Sequence, residues 1–319
     1  MRKEKTKPGE KKRRAIWFGL ALILLTAPGL WADEGSTAGI PPEGEPHEKS
    51  LTEINKKLTN PVGTLWSLTF EQNNYVVDPE PGIPNKEKRW NSDLQFHPVM
   101  PIALTDNWNL ITRPVIQFFN STPYLRDNLM DPTKVEIGRT TGFGDTTLMV
   151  HLSPSPKLVG NWLIGVGPTF IFPTASSDYT GQGKYQVGPS AIMGYFAKKW
   201  VLAAFVQDWL SFAGNSQRKN THQMNLQPIA AYFFGQGWSI GYSGNVLANW
   251  EAEKGRDVWT VPAGLSITKV VKFGKLPVKI GLAGQYMPIH PDTFGQRWNI
   301  QLKITPVIPK LIKGNLFGD

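Results

Sequence analysis

The chain has 319 residues and no cysteine, so structural disulfides and cysteine-bound metals are excluded. Its 40% hydrophobic and 18% charged content is that of an ordered protein, yet poorer in charge than a typical soluble domain. The formal net charge is +9, but eight basic and only two acidic residues precede residue 33, leaving 26 basic against 23 acidic. The basicity belongs to the leader and does not argue for a nucleic-acid partner.

That leader sets Lys11, Lys12, Arg13 and Arg14 before an apolar run from Ala15 to Leu30, with a cleavage site expected after Leu30-Trp31-Ala32. The run is shorter than the roughly 20 residues a spanning helix needs, so residues 1–32 read as a signal peptide. Residues 33–60 are polar and rich in Pro, Gly and Glu. Within them Ser50 to Leu58 is expected to form a short amphipathic helix, capped by Ser50 with Glu53 three residues on, and the whole tail is a candidate plug.

From about residue 64 the chain alternates with a two-residue period, the mark of strands with one apolar and one wet face. The first strand sets Trp66, Leu68 and Phe70 against Ser67, Thr69, Glu71 and Asn73. The second sets Leu94, Phe96, Pro98 and Met100 against Asp93, Gln95 and His97, and the third Trp108, Leu110, Ile116 and Phe118 against Asn109, Arg113 and Gln117. Later strands repeat the pattern: Trp162, Ile164, Val166, Phe170 and Phe172 oppose Gly165, Gly167 and Thr169, and Tyr185, Val187, Met193 and Tyr195 oppose Lys184, Gln186 and Ser190. In the last, Trp298, Ile300, Leu302 and Ile304 oppose Asn299, Gln301, Lys303 and Thr305. A sandwich would put its apolar face inward and its charge outward. Here the apolar face suits lipid and the charged face a wet interior, which makes the expected fold an all-β transmembrane antiparallel barrel over residues 61–310, followed by a C-terminal extension at 311–319.

About twelve strands are expected, with ten or fourteen as the neighbouring counts. They cover 64–76, 89–103, 107–119, 142–153, 161–173, 184–196, 199–211, 223–235, 237–249, 257–270, 276–289 and 297–308. Short joints such as Leu104-Thr105-Asp106, Ala197-Lys198 and Gly235-Gln236 alternate with long ones at Val77 to Lys88 and Asn120 to Thr141, the asymmetry of periplasmic turns and outer loops. Trp108, Trp162, Trp200 and Trp238 start strands at one rim, while Trp90, Trp209, Trp250, Trp259 and Trp298 lie near the other, as two interfacial belts would. Pro98, Pro114, Pro168, Pro189, Pro228 and Pro262 fall inside strands, where proline cannot donate to the ladder and bulges are expected to absorb it.

The segments NPVGTLWSLTFEQNNY (60–75), GFGDTTLMVHLSP (142–154), IGVGPTFIFPTAS (164–176), WTVPAGLSITKVVKFGKLPVKIGLAGQY (259–286) and WNIQLKITPVIPK (298–310) resemble, in consistent order over about residues 60–310, a family of Gram-negative outer-membrane barrels. These are labelled neuromedin-U-like or assigned to the phenol-degradation meta-pathway (MetA-type) transporter group. The resemblance implies an outer-membrane channel for small, often hydrophobic or aromatic compounds, with no established catalytic residues. It also implies a chain that stops near Lys310, whereas here LIKGNLFGD follows, with Phe317 the candidate for the terminal aromatic read by the barrel assembly machinery.

His97, His151, His222 and His290 are scattered without metal-ligand spacing, so no metal or other cofactor is expected. Ser243-Gly244-Asn245 and Gly142-Phe143-Gly144-Asp145 lack the strand-to-helix context of a nucleophile elbow or phosphate loop, and no catalytic residue is assigned. Glu71, Asp93, His97, Arg113, Asp145, Lys184, Lys279 and Lys303 have inward parity and are the candidates for lumen and selectivity residues. The expected partners are outer-membrane lipid and a small-molecule substrate. A structural or adhesive barrel acting through its outer loops, and an outer-membrane lipid hydrolase, are the alternative functions.

Overall fold

The computed structural model describes residues 46–317 except 62, 79–88, 128–134, 254, 256, 293 and 313. The expected signal peptide and the first part of the polar tail lie outside the described residues.

A helix, α1 (Pro46–Thr59), precedes β1 (Ser67–Val77), β2 (Arg89–Ala103), β3 (Trp108–Asp127), β4 (Val135–Gly142), β5 (Thr146–Pro154), the short α2 (Pro156–Val159), β6 (Trp162–Phe172), β7 (Lys184–Phe196), β8 (Trp200–Gly214), β9 (His222–Gly235), β10 (Trp238–Tyr242), β11 (Val246–Asn249), β12 (Trp259–Phe273), β13 (Leu276–Ile289) and β14 (Gln296–Pro306). Each strand pairs antiparallel with its neighbours, and β1 pairs with β14, so the sheet closes on itself. β4 and β5 both lie along β3, and β10 and β11 both lie between β9 and β12. Each of these couples is one barrel strand interrupted by three residues, so the barrel has twelve strands.

Alternation places the side chains as expected along most of the wall. Val166, Met193, Leu265, Leu282 and Ile300 are exposed on the outside, while Glu71, Asn73, Asp93, His97, Gln186, Asn299 and Gln301 are buried inside. On β3 the parity changes: Leu94 of β2 faces Phe119 and Gln95 faces Gln117, so Phe118 is the extra residue of a bulge and Phe119 takes the outer position. Two tryptophans also depart from expectation. Trp66 lies before β1 and is buried, its indole N–H donating to Pro101 O at 2.9 Å. Trp209 turns into the barrel, its indole N–H donating to Thr169 Oγ1 at 3.1 Å, and so is not part of an outer belt.

The expected long joint at 120–141 is largely regular structure. β3 continues to Asp127 and pairs with β4 from Val135 to Gly142, a hairpin standing above the rest of the wall. Ladder hydrogen bonds between the two segments satisfy backbone groups that an irregular loop would leave to water.

The six in-strand prolines have a common explanation. Residues 97–99 of β2 and 113–115 of β3 form no pairs with each other, and Pro98 and Pro114 sit in that gap. Pro168 lies where β6 skips pairing with β5, Pro189 where β7 skips pairing with β8, and Pro228 in the stretch 227–230 of β9 left unpaired where β10 gives way to β11. Pro262 falls at the register shift between β12 and β13. The missing N–H of each proline thus coincides with an interruption of the ladder on one side. Only Pro262 and its shift match the expected bulge; the rest are local gaps.

At the rim carrying the short turns, α1 enters the barrel mouth. The helix begins at Pro46, so Ser50 lies within it and is not the expected cap. Asn55 is fully buried and donates through Nδ2 to Gly237 O at 2.8 Å, Ser239 Oγ at 3.3 Å and Thr268 Oγ1 at 3.2 Å. Gly237 N donates to Thr52 Oγ1 at 3.2 Å, and Lys279 Nζ donates to Thr59 Oγ1 at 2.9 Å. One face of the helix is therefore clasped to β10, β12 and β13.

The segment after β14 runs along the same rim. Leu316 N and Phe317 N donate to Ala103 O and Leu104 O, each at 3.0 Å, and Asn315 Nδ2 donates to Asp106 Oδ1 at 2.9 Å. This hydrogen bond, with Lys157 Nζ 3.5 Å from the same carboxylate, holds the Asp106 carboxyl below its ordinary range. A carboxylate with a lowered folded pKa contributes to docking above its ordinary pKa, and the contribution is lost as pH falls through the lowered value. An acid-stable carboxypeptidase should therefore release the last residues faster once the pH is below the ordinary carboxylate range than at neutral pH, and Asp106→Asn should make the rate nearly independent of pH. An equally steep pH dependence in the variant would show that Asp106 is not the anchor.

Candidate functional site

The inner face of the barrel has two unlike walls. On β13, β14, β1, β2 and the adjoining part of β3, inward positions carry polar side chains that saturate one another. Glu71 Oε1 accepts from Gln301 Nε2 at 2.8 Å and Asn73 Nδ2 at 3.1 Å, and Glu71 Oε2 lies 2.9 Å from Lys303 Nζ. Asn73 Nδ2 also donates to Asp93 Oδ1 at 2.9 Å, and Gln95 Nε2 donates to Asp93 Oδ2 at 2.9 Å. Since the Gln95 amide nitrogen faces Asp93, its oxygen faces His97 and accepts from His97 Nε2 at 2.8 Å. His97 Nδ1 is then an acceptor and accepts from Arg113 Nη2 at 3.3 Å. Asn299 and Gln285 extend the chain to Ser243.

Such a network is what low-dielectric burial requires, because each unpaired member would cost about 1–3 kcal/mol. Glu71 is the most enclosed partner and Lys303 the wetter one. Lys303→Met is expected to destabilise the barrel by about 1–3 kcal/mol by stranding Glu71, while adding Glu71→Gln should recover most of that loss. A double-mutant cycle in urea checks it; additive losses would mean that the two do not act as a pair.

The facing wall, built by β5 to β9 with part of β3, is apolar at its lower half. Ile111, Met149, Leu163, Ile192, Val201, Phe205, Ile229, Ala231 and Phe233 form one buried cluster, with Val99 against it. Between the walls lies a cavity of about 390 Å³, lined on one side by Glu71, His97, Arg113 and Lys303 and on the other by Met149, Phe205, Gln207, Trp209 and Ile229. Its floor is the end of α1 and the residues after it, Lys57 to Pro61 and Gly63, and Lys279 projects beside that floor. A second cavity of about 390 Å³ shares Lys57, Asn60 and Gly63 with the first and opens between the helix and the β5–β6 and β7–β8 turns.

Of the eight candidate lumen residues, Glu71, Asp93, His97, Arg113 and Lys303 converge in one network, and Lys279 joins the same cavity through α1. Asp93 is held within the wall, not on the cavity surface. Asp145 and Lys184 stand apart near the long-loop rim. Asp145 accepts from Ala175 N at 3.3 Å and Gln182 N at 2.7 Å, and Lys184 Nζ donates to Asn220 Oδ1 at 3.3 Å. These two fasten outer loops. The apolar wall escapes sequence reading because its residues lie at inward parity on strands whose outer positions are also apolar. An apolar residue on either side of the pleat reads alike.

The structure also brings together a pair that sequence spacing did not reveal: His151 Nε2 lies 2.6 Å from Ser190 Oγ. Both are buried, His151 Nδ1 has no hydrogen-bond partner, and neither residue lines the cavity. A serine nucleophile needs an oriented base and access to substrate, and this pair has neither. Among the described residues no group of three or more His, Asp or Glu could hold a metal ion.

A family model described as "Putative MetA-pathway of phenol degradation" matches residues 90–274. Among solved structures, the COG4313 outer membrane channel from Pseudomonas putida F1 aligns with a TM-score of 0.52 at 13% identity, over 78% of this chain and 98% of that chain. The NanC porin aligns with a TM-score of 0.42 at 8% identity over 76% and 99%, and the CymD monoaromatic hydrocarbon channel with 0.34 at 11% identity over 76% and 88%. The first likeness establishes the fold; the other two are too distant to add to it. No curated protein matches the sequence. A closed twelve-stranded barrel with an apolar exterior and a polar inner wall is an outer-membrane structure, and the outer membrane is where this chain resides.

Proposed function

Because the chain belongs to the MetA-pathway family of phenol degradation, we propose that its barrel is the route by which small hydrophobic or aromatic compounds cross the outer membrane, with α1 as a plug at the periplasmic mouth. The observation that carries this reading is the cavity inside the barrel, one wall of which is made of Met149, Phe205 and Ile229. A pore for water and salts gains nothing from an apolar wall, whereas an apolar solute is partitioned into it. The lumenal charges Glu71, Arg113, Lys279 and Lys303 set the field along the route, and Phe317 is the aromatic offered to the barrel assembly machinery. The neuromedin-U-like label adds no function to this reading.

The test is the initial uptake rate of labelled toluene and phenol by Gram-negative cells with and without the barrel. Several-fold faster uptake is expected with it. An unchanged rate in cells whose surface barrel is folded, judged by heat-modified gel mobility, would overturn the proposal and move attention to the outer loops.

A further inference from the structure

Arg113 stands at the seam between the two walls. On one side its Nη2 touches His97, the end of the polar network. On the other, its register partner is Met149 of β5, both side chains facing inward, so the guanidinium and the apolar wall are cross-strand neighbours.

Of the other charges of the cavity, Glu71, Lys303 and Lys279 are already committed, while Lys57 lies on α1 at the floor. Glu71 is satisfied by Lys303, Gln301 and Asn73, and Lys279 donates to Thr59. Among the described residues the one hydrogen bond of Arg113 goes to the neutral ring of His97. A guanidinium carries five N–H donors, so most of its capacity faces the cavity. The described lining carries Lys57, Arg113, Lys279 and Lys303 against Glu71 as its one anion, a field that attracts a negative solute and repels a positive one. A carboxylate matches the planar fork of arginine with two parallel hydrogen bonds. An apolar body attached to it would then lie on Met149, Phe205 and Ile229.

We infer that the lumen holds a binding site for small monocarboxylates with an apolar body, the head on Arg113 and the body on the wall formed by Met149, Phe205 and Ile229. This rests on the reading of the barrel as a channel and names a class of solute for it. Neutral compounds use the apolar wall alone.

Titration calorimetry on the purified full barrel in detergent tests the site, with phenylpropionate, phenylpropanol and phenylpropylamine as probes of one size and three charges. The acid is expected to bind at least tenfold more tightly than the amine. Arg113→Gln should weaken the acid at least tenfold and leave the alcohol within twofold, Arg113→Lys should recover part of the loss, and Phe205→Ala should weaken acid and alcohol alike. Equal binding of the three probes, preference for the amine, or an acid affinity unaffected by Arg113→Gln would overturn the inference. If Arg113→Gln does not fold, the ranking of the three probes on the unaltered barrel and on Phe205→Ala decides. Failure here together with faster uptake of toluene leaves the channel reading intact, and failure of both removes it.

Discussion

Replacing Asn55 with leucine is expected to raise the single-channel conductance of the barrel in a planar bilayer several-fold, toward the value of a chain lacking residues 46–60. Asn55 is the deepest point of the clasp between α1 and the wall, with its amide shared among Gly237 O, Ser239 and Thr268. Leucine has similar bulk but no donor; Gly237 O keeps Val270 N and the two hydroxyls keep each other, so each lost Asn55 hydrogen bond costs about 0.5–1.5 kcal/mol. Every 1.4 kcal/mol is about a tenfold change in the ratio of docked to released helix. Thr52 and Thr59 still hold the helix, through Gly237 N and Lys279 Nζ, so the change is a shift in population and not permanent loss. The floor of the cavity is made by Lys57 to Pro61 and Gly63, and releasing the helix removes it. An equal conductance for the unaltered barrel, the Asn55→Leu variant and the deletion would mean that α1 does not limit passage and that the narrow point lies elsewhere in the lumen.

Leu282→Arg is expected to cost about 2–4 kcal/mol of folding free energy in lipid vesicles, the depth-dependent penalty of a cation on the lipid face. Leu282 lies near the middle of β13 and is more than half exposed, which in water would mark it as a tolerant surface position. Its neighbours Gly281 and Ala283 face the interior, so the backbone offers the new side chain no inward rotamer, and the charge must snorkel along the wall to reach the headgroups. Leu311→Arg is the control. Leu311 is more exposed than Leu282 but follows β14, outside the wall, and its substitution should change stability by less than about 0.5 kcal/mol. Urea titrations of vesicle-inserted protein give both values. A penalty at Leu282 no larger than at Leu311 would mean that this face does not meet hydrocarbon.

The expected strand boundaries at 89–103, 184–196 and 276–289 coincide with β2, β7 and β13, and the placement of Glu71, Asp93, His97 and Lys303 inside the barrel follows from the same two-residue period. These features are legible because lipid makes the outer positions of most strands apolar, whatever the neighbouring strand carries. The bulge at Phe118, the inward turn of Trp209 and the hairpin of β3 with β4 are not legible in the same way. A bulge is a mismatch between two strands, and neither strand contains it alone.

The amino-acid sequence by itself determined the topology, because a closed barrel needs only alternating strands and the turns between them. The tertiary structure alone decided which lumenal residues meet. Glu71 and Lys303 are 232 positions apart and touch because β1 closes on β14. Arg113 reaches both His97 and the apolar wall because β3 lies between β2 and β5. It also decided that α1 belongs in the mouth, since the partners of Asn55 lie on β10, β12 and the turn before β10. Register and closure are properties of strand pairs and of the whole ring, and the hydrogen bonds that depend on them have no signature along a single segment.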